Sequence, residues 1–385
     1  MIKHANRLDS VEEYYFSKKL REVSKMIASG EPVINMGIGS PDLYPSKIVI
    51  DEIKSSLSDQ VAHKYQSYQG IYELRKSISD FYNKYFKVEL DPDNEILPLM
   101  GSKEGIMHIS LAFLNPGDEV LIPNPGYPTY LSVTKLVEAK PRFYNLSLEN
   151  KWFPDIEELE KLNLSNVKIM WVNYPHMPTG ASASKQQFEQ LINFAKKHNI
   201  LIINDNPYSF ILNDNHTSLL SIDNSKEVAM ELNSLSKSFN MSGWRVGMLL
   251  GSSENISRVL KVKSNMDSGM FYGVQKGAIA ALNLDKNWFD ELNIKYTIRR
   301  KLIWKIADVL NCKYDKSSKG LFVWAKLPEE IKDSEKFIDN LLNEKKIFVA
   351  PGTIFGSEGQ GYIRFSLCID ESIINEALKL SLIHI

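Results

Sequence analysis

The chain has few cysteines and no long apolar run. Its 385 residues include only two cysteines, Cys312 and Cys368, which are far apart and lack the spacing of a disulfide pair or a metal site. No stretch reaches about 18 apolar residues, and residues 1–21 lack the apolar core of a signal peptide. We therefore expect a protein of the cytoplasm with no membrane partner and no bound metal.

An excess of charge of one sign is also missing. Lys and Arg number 46 against 47 Asp and Glu, without runs of like charge, which argues against nucleic-acid partners and favours small-molecule ligands. No repeat of 20–50 residues is evident, and neither the Gly-x-Gly-x-x-Gly nor the P-loop nucleotide motif occurs. With 43% hydrophobic residues, the chain can bury a large core.

The pattern of apolar runs predicts an α/β fold. Between about residues 95 and 250, runs rich in Val and Ile alternate with amphipathic segments, as in parallel strands joined by helices. Ser184 is the predicted N-cap of one such helix. The apolar runs occupy residues 118–123, 167–173, 200–204 and 246–251.

Beyond Leu284 the pattern changes to a long helical stretch, two strand-like segments and a final amphipathic helix. We therefore predict a large cofactor-binding domain at 45–284, with a mostly parallel sheet wound by helices. Residues 1–44 and 285–385 are predicted to form a smaller α+β domain.

The most informative segment is residues 234–247, SLSKSFNMSGWRVG, which lies between two apolar runs and so places Lys237 on a loop at strand ends. A partly desolvated lysine can form an imine with an aldehyde cofactor. The hydroxyls of Ser234 and Ser236 and the guanidinium of Arg245 can hold a phosphate. A solvated loop lysine is the alternative, and the tetrapeptide Ser-x-Ser-Lys alone would favour it.

Asp205 follows the predicted strand 200–204, at the kind of strand end where α/β folds bind ligands. An ionised carboxylate there can face a pyridinium nitrogen, and Tyr208 can donate a hydrogen bond to a phenolate oxygen on the same ring. Taken alone, Asp205 would be a helix cap or a turn residue.

A second loop, residues 101–105 (GSKEG), joins a strand-like run to an apolar helix. Gly101 at the helix entry lets backbone N–H groups converge on a phosphate, beside Ser102 and Lys103. A tight turn without a ligand is the alternative. Tyr127 is a candidate to stack on a cofactor ring, and otherwise an amphipathic loop aromatic.

Taken together, these motifs resemble the class I/II aminotransferases of the fold-type-I pyridoxal-phosphate enzymes, from about Val33 to Leu367. The motifs at 101–106, 124–128, 205–209 and 263–271 are most similar to the LL-diaminopimelate aminotransferase group. They surround the cofactor and the dimer interface, and so leave the amino donor open. The pieces that match the family occur in order at residues 37–42, 65–75, 101–104, 127, 178–180, 205–208, 234–245 and 351–364.

The resemblance implies a pyridoxal-phosphate enzyme that moves an amino group from an L-amino acid to a 2-oxo acid. LL-diaminopimelate, aspartate and aromatic amino acids are the candidate donors, and 2-oxoglutarate is a candidate acceptor. Lys237 would be the Schiff-base lysine, Asp205 the partner of the pyridine nitrogen and Tyr208 a donor to the phenolate oxygen. The residues implied to bind the phosphate are Gly101, Ser102, Lys103, Ser234, Ser236 and Arg245.

Two further roles follow from the resemblance. Tyr65 would reach the phosphate in the site of a second subunit, which implies a homodimer. Arg364 would clamp the substrate α-carboxylate, with help from the backbone near Gly39; a structural salt bridge is the alternative role for this arginine.

The chain departs from the family at Met177, which stands where the motif Asn-Pro-Thr-Gly has its asparagine. A thioether donates no hydrogen bond. We therefore predict that Tyr208 alone bonds the phenolate oxygen. Either the imine is then protonated more readily, or Arg364 carries most of the carboxylate binding. The neighbouring His176 is a possible substitute for the asparagine, with a structural role as its alternative.

Two other functions remain open on the sequence. A carbon–sulfur β-lyase would use the same scaffold and begin with the same removal of the Cα proton. A non-catalytic binding or regulatory protein would be expected to lack Lys237 or to carry an added DNA-binding module, and neither is seen.

Overall fold

The computed structural model describes residues 2–11 and 15–382. Its short strands alternate with helices along most of the chain. The strands are β1 (Ile34–Asn35), β2 (Ile96–Leu99), β3 (Glu119–Asn124), β4 (Lys140–Asn145), β5 (Val167–Val172), β6 (Leu201–Asp205), β7 (Ala229–Ser234), β8 (Gly247–Leu250), β9 (Lys313–Tyr314), β10 (Phe322–Lys326), β11 (Ile347–Phe348), β12 (Ala350–Pro351) and β13 (Tyr362–Ser366).

The helices flank the strands and connect them. They are α1 (Tyr15–Ala28), α2 (Lys47–Ser56), α3 (Tyr72–Phe86), α4 (Ser102–Phe113), α5 (Pro128–Leu136), α6 (Ile156–Glu160), α7 (Lys185–His198), α8 (Ser253–Lys263), α9 (Tyr272–Leu282), α10 (Lys286–Val309), α11 (Ser334–Lys345) and α12 (Glu371–Leu382). None of the described helices is both long enough and apolar enough to cross a membrane.

Seven of the described strands form the central sheet, in the order β2-β8-β7-β6-β5-β3-β4. Strands β3 to β7 run parallel to one another, and helices pack on both faces of the sheet. The four inner strands β3, β5, β6 and β7 are almost fully buried, as expected of a parallel sheet covered on both sides, whereas the edge strand β4 is largely accessible to solvent. The predicted α/β class with a mostly parallel sheet is confirmed, and parallel strands put the ends of β5, β6 and β7 at one edge.

One apolar run was wrongly grouped with the parallel strands. The run at 246–251 forms β8, which is antiparallel to both β7 and β2. The connection from β7 to β8 contains only a short 3-10 helix, Ser242–Trp244, whereas a parallel neighbour needs a longer crossover. The chain therefore turns back beside β7, and this return forms the loop that carries Lys237.

Local signals fix the boundaries of α7 well. The Ser184 hydroxyl accepts a hydrogen bond from Gln187 N, and the Gln187 side chain accepts one from Ser184 N. This reciprocal capping box confirms the predicted N-cap. The helix ends at Asn199, which has the left-handed φ of +54°.

The C-terminal part builds a smaller sheet. β10 pairs with both β13 and β9 in antiparallel fashion, and β12 pairs with the other edge of β13. The N-terminal strand β1 runs parallel to β11, so early and late segments of the chain meet. The domain boundaries at 44/45 and 284/285 stay a prediction.

Candidate active site

A cavity of about 430 Å³ opens where β5, β6 and β7 end, beside the N-terminus of α4. A second cavity of about 330 Å³ adjoins it and shares five of its lining residues. Gly39 and Arg364 line the second cavity. The predicted site residues that line the first are Ser102, Lys103, Tyr127, Met177, Asp205, Tyr208, Ser234, Ser236, Lys237 and Arg245.

Asp205 ends β6 and is 5% exposed at the floor of the first cavity. Its Oδ2 accepts a hydrogen bond of 2.9 Å from Tyr130 Oη, whereas its Oδ1 has no hydrogen-bond partner among the described residues. Burial raises the pKa of Asp205 to about 6, although the Tyr130 hydrogen bond acts against this. Oδ1 is therefore a free buried acceptor among the described residues. A cation or an N–H donor placed beside it would stabilise the ionised form of Asp205.

Lys237 lies on the loop after β7, where its Nζ donates a hydrogen bond of 2.6 Å to the carbonyl oxygen of Gly39. Burial lowers the pKa of Lys237, and the positive charges of Arg364 and Arg245 lower it further. A lysine in these surroundings loses its proton more readily than one in water. It can then act as a nucleophile or as a base.

Gly101 and Gly247 let three chain segments meet at the α4 end of the cavity. A Cβ on Gly101 would lie 2.0 Å from Arg245 Nη2, and the φ of +92° also favours glycine. A Cβ on Gly247 would lie 2.5 Å from the backbone nitrogen of Ser102. The close approach brings the guanidinium of Arg245 beside the first N–H groups of α4, an arrangement that suits an anion.

Arg364 projects from β13 into the second cavity and is 5% exposed. Its Nη2 donates a hydrogen bond of 2.8 Å to the carbonyl oxygen of Gly37, and its Nη1 lies 3.4 Å from Met177 Sδ. The guanidinium carbon lies 3.9 Å from the ring centre of Phe322 and 4.6 Å from that of Phe355. None of these contacts is a carboxylate, so the geometry does not support a structural salt bridge.

Burial lowers the pKa of Arg364 to about 10, which leaves the guanidinium charged near neutral pH. Its Nε has no hydrogen-bond partner among the described residues. A buried cation with an unused donor gains most from a charged acceptor, because the desolvation of the arginine has already occurred. The arrangement therefore suits a carboxylate.

Sequence reasoning missed several residues that hold Asp205. Tyr130 stacks on Trp171 with the ring centres 5.0 Å apart, and this stack aims its hydroxyl at Asp205. Asn173 donates to the backbone oxygen of Asp205 and accepts a hydrogen bond of 2.8 Å from Met177 N. Tyr130 lies in the same Asn-Pro-Gly-Tyr-Pro-x-Tyr segment as Tyr127, but only the tertiary structure relates it to β6.

A second buried carboxylate, Glu231, stabilises the segment around Asp205. It is 0% exposed and accepts hydrogen bonds from the two asparagines that flank Asp205, Asn204 at 3.1 Å and Asn206 at 3.2 Å. Tyr82 Oη at 3.0 Å and the backbone nitrogen of Leu219 at 2.9 Å also donate to it. Glu231 lies between Met230 and Leu232 in an apolar run, and no local pattern in the sequence relates its carboxylate to Asn204 and Asn206.

Two of the predicted residues lie away from the cavities. Tyr65 is 91% exposed and lines neither cavity of its own chain. His176 is 2% exposed, its Nδ1 lies 2.8 Å from Thr179 Oγ1, and burial lowers its pKa to about 3. It lines neither cavity, so the structure favours the structural alternative for His176 over a substitute for the missing asparagine.

Residues 31–380 match the family model described as aminotransferase class I and II. The chain belongs to this family. The aminotransferase is 37% identical to the LL-diaminopimelate aminotransferase of Aquifex aeolicus, over 98% of each chain. It superposes on substrate-bound BacF from Bacillus subtilis with a TM-score of 0.94 and 31% identity, covering 99% of this chain and 97% of that one.

The aromatic aminotransferase of Pyrococcus horikoshii is another solved structure of high similarity. It is 30% identical to this aminotransferase with a TM-score of 0.86, covering 93% of this chain and 97% of that one. The predicted resemblance is thereby confirmed. The enzyme transfers an amino group from an amino acid to a 2-oxo acid and uses pyridoxal phosphate, and neither a lyase nor a non-catalytic protein is favoured.

Three features of the aminotransferase fit pyridoxal phosphate. The buried Oδ1 of Asp205 has no hydrogen-bond partner among the described residues and suits a ring N–H. The Gly101–Arg245 approach suits a phosphate at the start of α4. Lys237 lines the same cavity as Asp205 and Arg245.

Proposed function

We propose that Lys237 holds the cofactor covalently and that its Nζ moves the proton of the donor Cα. The observation that carries this role is the placement of Lys237 Nζ in the cavity, with a lowered pKa and Gly39 O as its hydrogen-bond acceptor. A neutral amine accepts a proton and returns it at a neighbouring carbon within one binding event. Hydrolysis then releases the first 2-oxo acid, and a second 2-oxo acid takes up the amino group by the reverse steps.

Asp205 would face the ring nitrogen, Tyr208 would donate to the phenolate oxygen and Tyr127 would stack on the ring. When bound, pyridoxal phosphate supplies the electron-withdrawing ring that makes the Cα proton of the donor acidic. Tyr130 and Glu231 hold Asp205 in place through the hydrogen bonds described above. The residues proposed to bind the phosphate are Gly101, Ser102, Lys103, Ser234, Ser236 and Arg245.

Arg364 would bind the α-carboxylate of both the donor and the 2-oxo acid, with the backbone near Gly39 beside it. The support is the buried guanidinium with an unused Nε and only a carbonyl and a thioether as acceptors. With Met177 at the asparagine position, Tyr208 would be the sole side-chain donor to the phenolate oxygen.

The enzyme is proposed to act as a homodimer in which Tyr65 completes the site of the partner. The side chains of Tyr65, Tyr68 and Phe271 are 91%, 45% and 46% exposed. Their segments lie together, because Lys263 Nζ donates to Tyr68 O and Gly269 packs against Gln66 O. An exposed aromatic patch of this kind favours a protein interface.

The two free thiols fit a reducing compartment, and we propose that the enzyme acts in the cytoplasm.

The cofactor attachment can be tested by trapping. Borohydride reduction of the loaded enzyme, followed by peptide mass mapping, should place the cofactor mass on the peptide that contains Lys237. The Lys237→Ala variant should trap none, whereas a Lys168→Ala control, which removes an exposed lysine of β5, should trap as much as the parent enzyme. Attachment at another lysine would overturn the assignment.

The donor remains to be chosen among LL-diaminopimelate, aspartate and aromatic amino acids. Relatives named for an LL-diaminopimelate donor and for an aromatic one both match most of the chain. The choice therefore rests on the walls of the second cavity.

A further inference from the structure

The second cavity is where the donor side chain must lie. It is lined both by Lys237, the proposed base, and by Arg364, the proposed carboxylate ligand. If the donor Cα lies at Lys237 and its carboxylate at Arg364, the remaining space of this cavity surrounds the side chain. This step rests on the proposed function.

The walls of that remaining space are mainly apolar. Phe322 and Phe355 enclose the Arg364 guanidinium and also line the cavity. Phe16 from α1, Pro128 from α5 and Ile354 from the short 3-10 helix after β12 also line this cavity.

Two contacts hold α1 against β11 and α11. The Phe16 ring stacks on that of Phe348 in β11, with the ring centres 6.2 Å apart and their planes 25° from parallel. Lys19, on the next turn of α1, lies 2.7 Å from Asp339 of α11. Phe16 is therefore a fixed part of the wall.

No acidic side chain lines the second cavity among the described residues. Apart from Lys237 and Arg364, the only charged side chain that lines it in the described part of the chain is Lys103, which is exposed and also lines the first cavity. An ammonium group at the far end of a donor would therefore lose water without gaining a carboxylate, and would meet a lysine of like charge. The cavity thus disfavours cationic side chains, and also the far end of LL-diaminopimelate, whose ammonium and carboxylate would both lose water against mainly apolar walls.

The proposed dimer does not supply the missing carboxylate through the segment that carries Tyr65. Residues 64–71, KYQSYQGI, contain lysine, tyrosine, glutamine and serine but neither aspartate nor glutamate. If the partner's segment lies over the site, it adds aromatic and amide groups to the walls.

We infer that the amino donor is an L-amino acid with an aromatic or large aliphatic side chain, which Phe16, Phe322, Ile354 and Phe355 contact. Such a donor differs from the one named for the LL-diaminopimelate aminotransferases to which the chain is similar. The residues that line the second cavity, and not the similarity to those relatives over the whole chain, indicate this class of donor.

Binding of unreactive acids tests the wall without turnover. Calorimetric titration of the cofactor-loaded enzyme should give a Kd for 3-phenylpropionate that is about 10- to 100-fold below the Kd for adipate or 6-aminohexanoate, because the ring buries apolar area. Equal binding, or tighter binding of either charged-chain acid, would overturn the inference.

The half-reaction separates a failure of this inference from a failure of the proposed function. Each donor is mixed with loaded enzyme in the absence of a 2-oxo acid, and the cofactor absorbance is followed. Phenylalanine and leucine should react with a higher kcat/KM than LL-diaminopimelate or aspartate; the reverse order contradicts the inference alone. If no donor changes the spectrum, the proposed function fails, and the acid titration still decides the nature of the wall.

A substitution in the wall tests the contact itself. Ile354 is half-buried on a 3-10 helix, so Ile354→Asp adds a carboxylate without opening the core. The variant should lower kcat/KM for phenylalanine by about 10- to 100-fold and that for alanine by less than about threefold, since alanine does not reach the wall. Ile354→Val is the matched control and should keep the selectivity of the parent enzyme.

Equal losses for phenylalanine and alanine in a folded Ile354→Asp enzyme would show that the donor side chain does not contact this wall. If Ile354→Asp fails to fold, Ile354→Ala gives the same comparison with a smaller expected loss. An unchanged ratio of phenylalanine to alanine in Ile354→Ala would then contradict the inference.

Discussion

The two sides of the active site differ in how their polar groups are satisfied. On the cofactor side, Asp205 is held through Tyr130 and Asn173, and Glu231 accepts four hydrogen bonds behind it. On the substrate side, the hydrogen-bond acceptors that Arg364 contacts are one carbonyl and one thioether, between two aromatic rings.

The two sides of the site obtain their specificity in different ways. A hydrogen-bonded network has one favourable geometry, so the cofactor side is preorganised by the fold. Aromatic walls and an unpaired guanidinium leave the substrate side dependent on a ligand for its last charged contact. Substitutions on the two sides should therefore change different measurable properties.

The largest effect is expected at the point where the two sides meet. Lys237→Ala should lower amino transfer at least about 10⁴-fold, because both the covalent attachment and the proton transfer are lost. Thermal unfolding of the apo variant should remain cooperative. Appreciable residual transamination, beyond that of free cofactor, would contradict the role of Lys237.

On the substrate side, Arg364→Lys should raise KM for the donor about 100-fold and leave the absorbance of bound cofactor unchanged, since lysine cannot reproduce the planar fork. Arg300→Lys is a matched control, because Arg300 also stacks on a ring, that of Trp304, and donates to one carbonyl, that of Ser318. A change in cofactor affinity without a change in KM would place Arg364 on the cofactor side.

On the cofactor side, Asp205→Asn should change how the stability of the apoprotein depends on pH. The pKa of Asp205 rises on folding from 3.8 to about 6, so the folded carboxyl binds its proton more tightly than the unfolded one. The stability that this proton contributes is present below the unfolded pKa and is lost as the pH rises through the folded one.

The free energy of unfolding of the parent apoprotein should fall by on the order of 3 kcal/mol over this pH range. The fall should be absent in Asp205→Asn. Urea unfolding of the two apoproteins at several pH values across this range measures it. Parallel stability curves for the two proteins would show that Asp205 is not buried in the way the structure describes.

Glu231→Gln should lower the free energy of unfolding by about 2 kcal/mol, because an amide replaces one acceptor oxygen with a donor that faces other donors. Glu189→Gln, on the exposed face of α7, is the control and should leave stability nearly unchanged. Denaturant unfolding distinguishes the two; equal stabilities would mean that the Glu231 network does not hold the floor of the site.

The smallest effect is expected at Met177, which contacts both sides. Met177→Asn would restore a donor to the phenolate oxygen. We expect the pH midpoint of the absorbance of bound cofactor to fall by less than about one unit, as the unprotonated form gains a hydrogen bond. Superimposable titrations of the variant and the parent enzyme would remove any role of Met177 in tuning the cofactor.

Sequence reasoning was most accurate where the signal is local. The capping box at Ser184 and Gln187 fixes the start of α7, and runs of Val and Ile identify the buried strands. The cofactor motifs were found because each is a short contiguous segment. The predicted direction of β8 was wrong. Strand direction depends on the length and route of the preceding connection, and the pattern of apolar residues does not indicate either.

Local periodicity and contiguous motifs were sufficient to predict the α/β class, the family and most of the residues that line the first cavity. Which distant groups meet became clear only in the folded chain: Tyr130 with Asp205, Glu231 with the flanking asparagines, and Arg364 with Met177 between two rings. Such contacts join segments up to 187 residues apart, and their hydrogen bonds and packing arise only when the strands have taken their order in the sheets.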